Sequence, residues 1–171
     1  SNEADCMYSG IMVDTNNFTA KTGVRTFEAA AFLRRCGADV TRVRKMFRDG
    51  AREYKAKAET VRNAEIYKNA YAMGICPSEG LDSPTEIGAQ AANELLGING
   101  IKASFVVTEY NGKIYISARS IDEVNVQIIM ERLGGGGHMN IAGAQLTDTT
   151  PERAVFVVKE TLNQMLEEGA I

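Results

Sequence analysis

The sequence predicts an α/β protein in which helices cover a sheet, and three observations carry that reading. Behind residue 85, segments of helical and strand character alternate. Two of the strands are joined by Tyr110-Asn111-Gly112, whose Asn-Gly pair favours a type I′ hairpin because both residues tolerate positive φ. Ahead of residue 77 the pattern is mostly helical, and Pro77 and Pro84 bracket the strongest break in the chain.

Taken in order, Gly10-Ile11-Met12-Val13 is a short apolar run ending at Asp14, consistent with a buried strand that presents a carboxylate. Thr26 is placed to cap a helix through Phe27–Leu33, with Gly37 as its stop. Asp39 caps the next helix, whose apolar residues Val40, Val43 and Phe47 fall at helical spacing. Residues 51–73, rich in Ala, Lys, Glu and Arg, predict a further helix. After the break, residues 85–96 predict a helix with Ile87, Ala91, Leu95 and Leu96 at core spacing. Strands follow at 101–109 and 113–119, then a short helix at 123–133 that runs into glycines. Thr150-Pro151 starts the last helix, because proline at the first helical position loses no hydrogen bond. Val155, Val158, Leu162 and Met165 make its buried stripe.

Composition narrows the chemistry. The 171 residues hold 44% hydrophobic and 24% charged side chains, ordinary for a folded domain. No apolar run reaches the roughly 18 residues that a membrane-spanning helix needs, and no basic-then-apolar signal sequence opens the chain. Cys6, Cys36 and Cys76 are odd in number and far apart, which favours a reducing compartment. His138 is the only histidine, and the carboxylates form no D-x-D pair, so a metal centre rich in histidine is excluded. The net charge of −3 averages two unlike regions. Residues 34–57 hold nine basic and three acidic side chains, whereas residues 85–171 hold six and eleven. The basic stretch reads as a solvated helical face or as an attractor of phosphate.

Three features could carry chemistry. Gly134-Gly135-Gly136-Gly137 lets main-chain N–H groups converge on an anion, and His138 behind it can add a hydrogen bond or charge. A helix cap after Leu133 needs only one of the four. Arg119, flanked by Ser117 and Ser120 at a strand end, suits a phosphate or carboxylate, although an edge-strand arginine needs no ligand. Asn125 is placed either to cap a helix or to meet a ligand. Asp14 is placed either to end a turn or to coordinate a metal.

These residues occur together in an order that resembles a known family. Ile116-Ser117-Ala118-Arg119-Ser120, Asn125-Val126-Gln127, Met130-Glu131-Arg132-Leu133, the glycines with His138, and Ala142-Gly143-Ala144-Gln145-Leu146 resemble the DHHA1 domain of DHH-type phosphoesterases. More narrowly they resemble cyclic-di-AMP phosphodiesterases of the GdpP/YybT type. Ala89–Leu96 followed by Ile101–Val107 resembles the start of that domain. Gly10–Thr15, Phe18 and Arg25–Ala30 resemble the last part of the preceding DHH domain.

The resemblance implies a helical C-terminal remnant of a DHH domain followed by a small DHHA1 domain, a mixed β-sheet flanked by helices. On this basis residues 1–76 are the DHH remnant and helical linker, 77–84 a linker, and 85–171 the substrate-binding DHHA1 domain. It implies hydrolysis of cyclic di-AMP to pApA by two manganese ions, with Asp14 matching the last metal-ligand motif. Arg119, Ser120, Asn125, Gly134 to Gly137 and His138 match substrate-binding positions. The other metal motifs have no counterpart here, and Asn16 stands where lysine is commoner. The chain is therefore expected to be a piece of a longer enzyme, inactive alone, with Ser1-Asn2 a cloning remnant. Expected partners are a cyclic dinucleotide or short oligonucleotide and the missing DHH region, with a homodimer left open and no membrane contact by this piece. The expected location is cytoplasmic, on a membrane-anchored parent. The alternatives are a fragment of an oligoribonuclease or exonuclease of DHH type, or a non-catalytic nucleic-acid-binding module.

Overall fold

A computed structural model describes residues 2–171. The reading of Ser1 as a cloning remnant lies outside the described residues. The chain divides into two compact units, one ending at Asp49 and one running from Gly50 to Ile171.

The first unit is helical: α1 (Asn2–Asp14), α2 (Val24–Arg35) and α3 (Val40–Met46). The expected strand at Gly10–Val13 is instead the end of α1. Ala4 and Tyr8 are buried and Ile11 and Met12 half-buried, a helical spacing that turns one face to α2 and α3 and leaves Val13 67% exposed. A four-residue apolar run fits either element, and here the longer period wins. Thr26 is not the cap of α2, which starts two residues earlier. Its hydroxyl accepts from Gly23 N–H at 3.3 Å in the first turn. Gly37 does end the helix, at φ 96°, with Gly37 N–H donating to Arg34 C=O and Ala38 N–H to Leu33 C=O. Asp39 caps α3 as expected, accepting from Thr41 and Arg42 N–H. Only Val43 of the expected trio reaches the core, while Val40 and Phe47 are exposed.

Asp5 ties this unit together. Its carboxylate, on a buried residue, accepts from Arg42 Nε at 2.8 Å and from Asp39 N–H at 2.7 Å, so the cap of α3 is fixed from α1. Those two donors, Arg42 first, hold the carboxyl below its ordinary value of 3.8.

The second unit begins with α4 (Ala51–Arg62), which stops well short of the expected 73. Residues beyond it form β1 (Glu65–Tyr67) and β2 (Tyr71–Cys76), an antiparallel pair. Five of the six β2 residues are buried, so packing on both faces overrides the helix propensity of the segment. Then come α5 (Pro84–Leu95), β3 (Ala103–Tyr110), β4 (Lys113–Ser120), α6 (Val126–Glu131), β5 (Gly136–His138), β6 (Ile141–Leu146) and α7 (Pro151–Glu167). The hairpin between β3 and β4 turns through Asn111 at φ 51° and Gly112 at φ 72°, as its sequence predicts. Thr150 caps α7 through a bond from Arg153 N–H, with Pro151 first in the helix. Among the described residues no helix is long and apolar enough to cross a membrane.

The six strands form one mixed sheet in the order β1-β2-β3-β4-β6-β5, with only β2 and β3 parallel. This corrects the expected boundary. Residues 77–83 connect β2 to α5 inside one unit, Pro84 is the first residue of α5, and β2, on the near side of that stretch, pairs with β3 over its whole length.

Strand alternation sends successive side chains to opposite faces. On one face Phe105, Val107, Ile114, Ile116 and Ala118 pack under α6 and α7, which bring Val126, Ile129, Val158 and Leu162. On the other, Ala72, Cys76 and Val106 pack under Ile87, Ala91 and Leu95 of α5 and Ala56 of α4. Gly88 lets α5 sit down on β3, since a Cβ there would come within 2.3 Å of the Thr108 hydroxyl. Neither of these two cores extends over β4, β6 and β5 on the α5 side of the sheet, which leaves that area uncovered by either.

Candidate functional site

The uncovered face is read directly from the register. Arg119 lies opposite Ile141, which lies opposite His138. One step along, Ser117 lies opposite Gly143 and Gly143 opposite Gly136. A further step along, Tyr115 lies opposite Gln145. Residues paired across antiparallel strands share a face, so these are three parallel rows. The middle row is floored by a serine and two glycines and stands almost flush with the backbone. An open cleft of about 390 Å³ lies over Ser117 and Gly143 of that row and Tyr115 and Gln145 of the next, with Thr85 of α5 and the Gly134–Gly135 main chain also lining it, and Arg119, Gly136 and His138 stand beside it. Its volume is in the range of small-ligand sites.

Arg119 is the strongest charge here. Ser104, its neighbour on β3, is fully buried and bonds to Ala92 C=O of α5 at 2.6 Å, so Arg119 sits where the cover of α5 ends. It is half-buried, its Nη1 donates to Ala118 C=O at 2.9 Å, and its buried Nε has no hydrogen-bond partner. No carboxylate pairs with it among the described residues, and burial alone pulls its pKa below the usual arginine value. A guanidinium remains charged under such a shift, so its unused donors are available to an anion. His138 in the same row is exposed.

The four glycines have separate reasons. Gly134, at φ 78°, closes α6: its N–H donates to Glu131 C=O and that of Gly135 to Met130 C=O. A Cβ on Gly135 would lie 2.1 Å from Gly143 O, and one on Gly137 2.5 Å from Ala142 Cα, so both permit close backbone approach. A Cβ on Gly136 would meet nothing within 4 Å. The cap reading thus accounts for the first glycine and strand packing for two others, while the fold makes no demand on Gly136. Gly136 and His138 belong to an edge strand rather than to a loop.

The remaining sequence-predicted residues lie elsewhere. Ser120 follows Arg119 and therefore takes the opposite face. It is buried, its hydroxyl donates to Val124 C=O at 2.6 Å and accepts from Asn140 Nδ2 at 3.1 Å, so it fastens the loop before α6. Asn125 caps α6, accepting from Gln127 N–H at 3.0 Å. Asp14 ends α1 rather than a strand, is exposed, and has Lys21 Nζ at 3.7 Å. Among the described residues no three His, Cys, Asp or Glu side chains lie close enough to hold a metal ion. One exposed carboxylate beside an ammonium does not fit a two-metal centre. Thr85 and Tyr115 carry no site signal in the sequence, and Ser117, Gly143 and Gln145 appear there only inside longer stretches, with no ligand role of their own. Counting back from Arg119 in steps of two reaches Ser117 and Tyr115, and this is the signal that could have found them.

The DHHA1 domain family matches residues 70–168. A protein of Geobacillus thermodenitrificans named cyclic-di-AMP phosphodiesterase GdpP is 42% identical over 98% of this chain and 25% of its own length. The cyclic-di-AMP phosphodiesterase PdeA of Listeria monocytogenes is 44% identical over 86% of this chain and 22% of its own. The chain thus spans about a quarter of the length of these relatives. Among solved structures, an exopolyphosphatase-related protein from Bacteroides fragilis superposes with a TM-score of 0.82 at 24% identity. It covers 95% of this chain and 50% of that one, and shows a shared fold.

Proposed function

The chain belongs to the DHHA1 domain family, and from that premise we propose that it is the nucleotide-binding part of a phosphodiesterase acting on cyclic di-AMP. The observation that carries the reading is the half-buried Arg119, with no carboxylate partner, in one row with His138 on a sheet face floored by glycines. A phosphate placed there receives a charged, partly desolvated hydrogen bond, which is stronger than the same bond in water. Gly136 and Gly143 let a sugar-phosphate chain approach the main chain without meeting a side chain. The names of the relatives support a cyclic dinucleotide as substrate.

In this reading Ser120 and Asn125 hold the local framework, and Arg119, His138 and Gly136 meet the ligand. Asp14 is carried as a metal-facing carboxylate, and manganese as the ion, for the longer enzyme only. These 171 residues bind and orient the diester, and the ions that would activate water need ligands this chain does not bring together. A module for long nucleic acid is the second reading, but the six basic against eleven acidic side chains of residues 85–171 argue against a basic track.

Calorimetric titration with cyclic di-AMP, pApA and single-stranded DNA tests this. Both dinucleotides should bind, Arg119→Ala should weaken them by more than about tenfold, and manganese should yield no pApA. Unchanged affinity in the variant, or tighter and steeply salt-dependent binding of long DNA, would sink the proposal. Turnover by this chain would overturn the division of labour.

A further inference from the structure

The rows of the open sheet face differ in chemistry. Arg119 and His138 stand in the first row, beside the cleft, and Tyr115 and Gln145 face each other in register in the third row and line the cleft. Four residues of strand separate Arg119 from Tyr115, about 13 Å at the rise of an extended chain. That is comparable with the reach from the phosphate of a mononucleotide to the far edge of its purine.

The third row has no use within the chain. Tyr115 is half-buried and Gln145 exposed. Both line the cleft, and neither side chain hydrogen-bonds to another described residue. Thr85 of α5 borders them, as does the main chain of Gly134 and Gly135, and no charged side chain lines this part. It is therefore not a second phosphate site. A phenol ring offers a face on which any base can stack. A primary amide offers one acceptor beside one donor, the complement of the N6–H and N7 edge of adenine. The equivalent edge of guanine carries two acceptors, which the amide cannot satisfy together.

We propose that Tyr115 and Gln145 form a base-recognition subsite that takes a purine and selects adenine over guanine. Tyr115 supplies the stacking surface and Gln145 the selection. The phosphate then falls at Arg119 and the sugar over Ser117, Gly143 and Gly136. This rests on the nucleotide reading of the cleft, but its chemistry lies two rows from the phosphate group, so the two can fail separately.

The test is calorimetric titration of the 171-residue chain with AMP, GMP, adenosine and ribose 5-phosphate. Gln145→Ala, at an exposed position, should lower AMP affinity about tenfold and bring the AMP-to-GMP ratio close to one. Tyr115→Ser should weaken AMP and GMP alike by about tenfold, whereas Tyr115→Phe keeps the ring and should stay within about twofold. Ribose 5-phosphate, which has no base, should bind all three variants like the parent chain and lose affinity with Arg119→Ala. An unchanged AMP-to-GMP ratio in Gln145→Ala overturns the proposal, as does equal weakening of AMP and ribose 5-phosphate. Failure of both AMP and adenosine to bind overturns it too. If adenosine binds through Gln145 while ribose 5-phosphate does not bind, the base subsite stands and the phosphate reading falls.

Discussion

At Gly135 and Gly136, adjacent residues of one type answer to different constraints. The Cβ of an alanine at 135 would press on the main chain of β6, with Gly143 O at 2.1 Å and Ala144 Cα at 2.7 Å, and neither can yield without moving a strand. The Cβ of an alanine at 136 would stand in open space. Gly135→Ala is expected to destabilise the second unit by about 1–3 kcal/mol, seen as a fall of several degrees in Tm. Gly136→Ala should melt within about 0.5 kcal/mol of the parent and lose dinucleotide affinity in titration. Equal melting of the two variants would remove the distinction. Arg119 and Ser120 make the same point about neighbours. Both are strand-end polar residues, but the period of two sends one to the open sheet face and the other into a buried hydrogen-bond pair. His138 was legible from the sequence because it is the one histidine and follows four glycines, and Arg119 because serines flank it at a strand end in a stretch that resembles a known family. Tyr115 was not, because an ordinary tyrosine gains meaning only from register and from the sheet face that α5 leaves open, and Gln145 stood there only as one letter of the Ala142–Leu146 stretch, its facing of Tyr115 shown by register alone.

Among the elements, those with explicit start and stop signals were readable and those resting on short apolar runs were not. Asp39 before α3, Thr150-Pro151 before α7 and Asn111-Gly112 between β3 and β4 each specify local geometry by a side-chain acceptor, a ring or a tolerated positive φ. Three helices close with the same pair of bonds around a left-handed glycine: Gly37 after α2, Gly134 after α6 and Gly169 after α7. Residues 10–13 and 64–76 lack such marks, and tertiary packing decided them. The Asp5 link between α1 and α3 was invisible for a related reason, since 34 residues separate Asp5 from Asp39. It has a consequence for pH. The Asp5 carboxyl lies below its ordinary value of 3.8 in the folded chain, so the unfolded chain binds that proton more readily. The stabilisation is complete above the ordinary value and is lost as pH falls through it towards the folded one. Asp39, lowered by the N–H groups of Arg42 and then Thr41, acts in the same direction. Denaturant midpoints followed from neutral pH to about pH 3 should fall at the acid end, and Asp5→Asn should flatten the part due to this group. An acid limb identical in the variant would show that the Arg42 pair contributes nothing.

For the molecule as a whole, the buried clusters separate by unit. Ala4, Tyr8, Ala30, Leu33, Ala38 and Val43 make the core of the first unit, and the clusters on the two sheet faces lie wholly beyond Gly50. A core of six residues, half of them alanines, is small for independent stability. Scanning calorimetry should therefore show two transitions, the lower one from the first unit. A fragment of residues 50–171 should reproduce the upper transition and keep the nucleotide affinity of the whole chain. A single transition lost in that fragment would show that the units fold as one.

The sheet order has one more consequence, in time rather than space. β5 is the outermost strand, three residues long, and two of the three are glycines, so no strand lies beyond it and few side chains hold it down. Such an edge opens without the rest of the sheet, and its amides exchange with solvent by local excursions far cheaper than global unfolding. A ligand that bridges Arg119 and His138 spans β4 to β5 and closes that excursion. Binding is thereby coupled to the opening of the edge, and slowed amide exchange at Gly136–His138 becomes a measure of how fully the site is occupied.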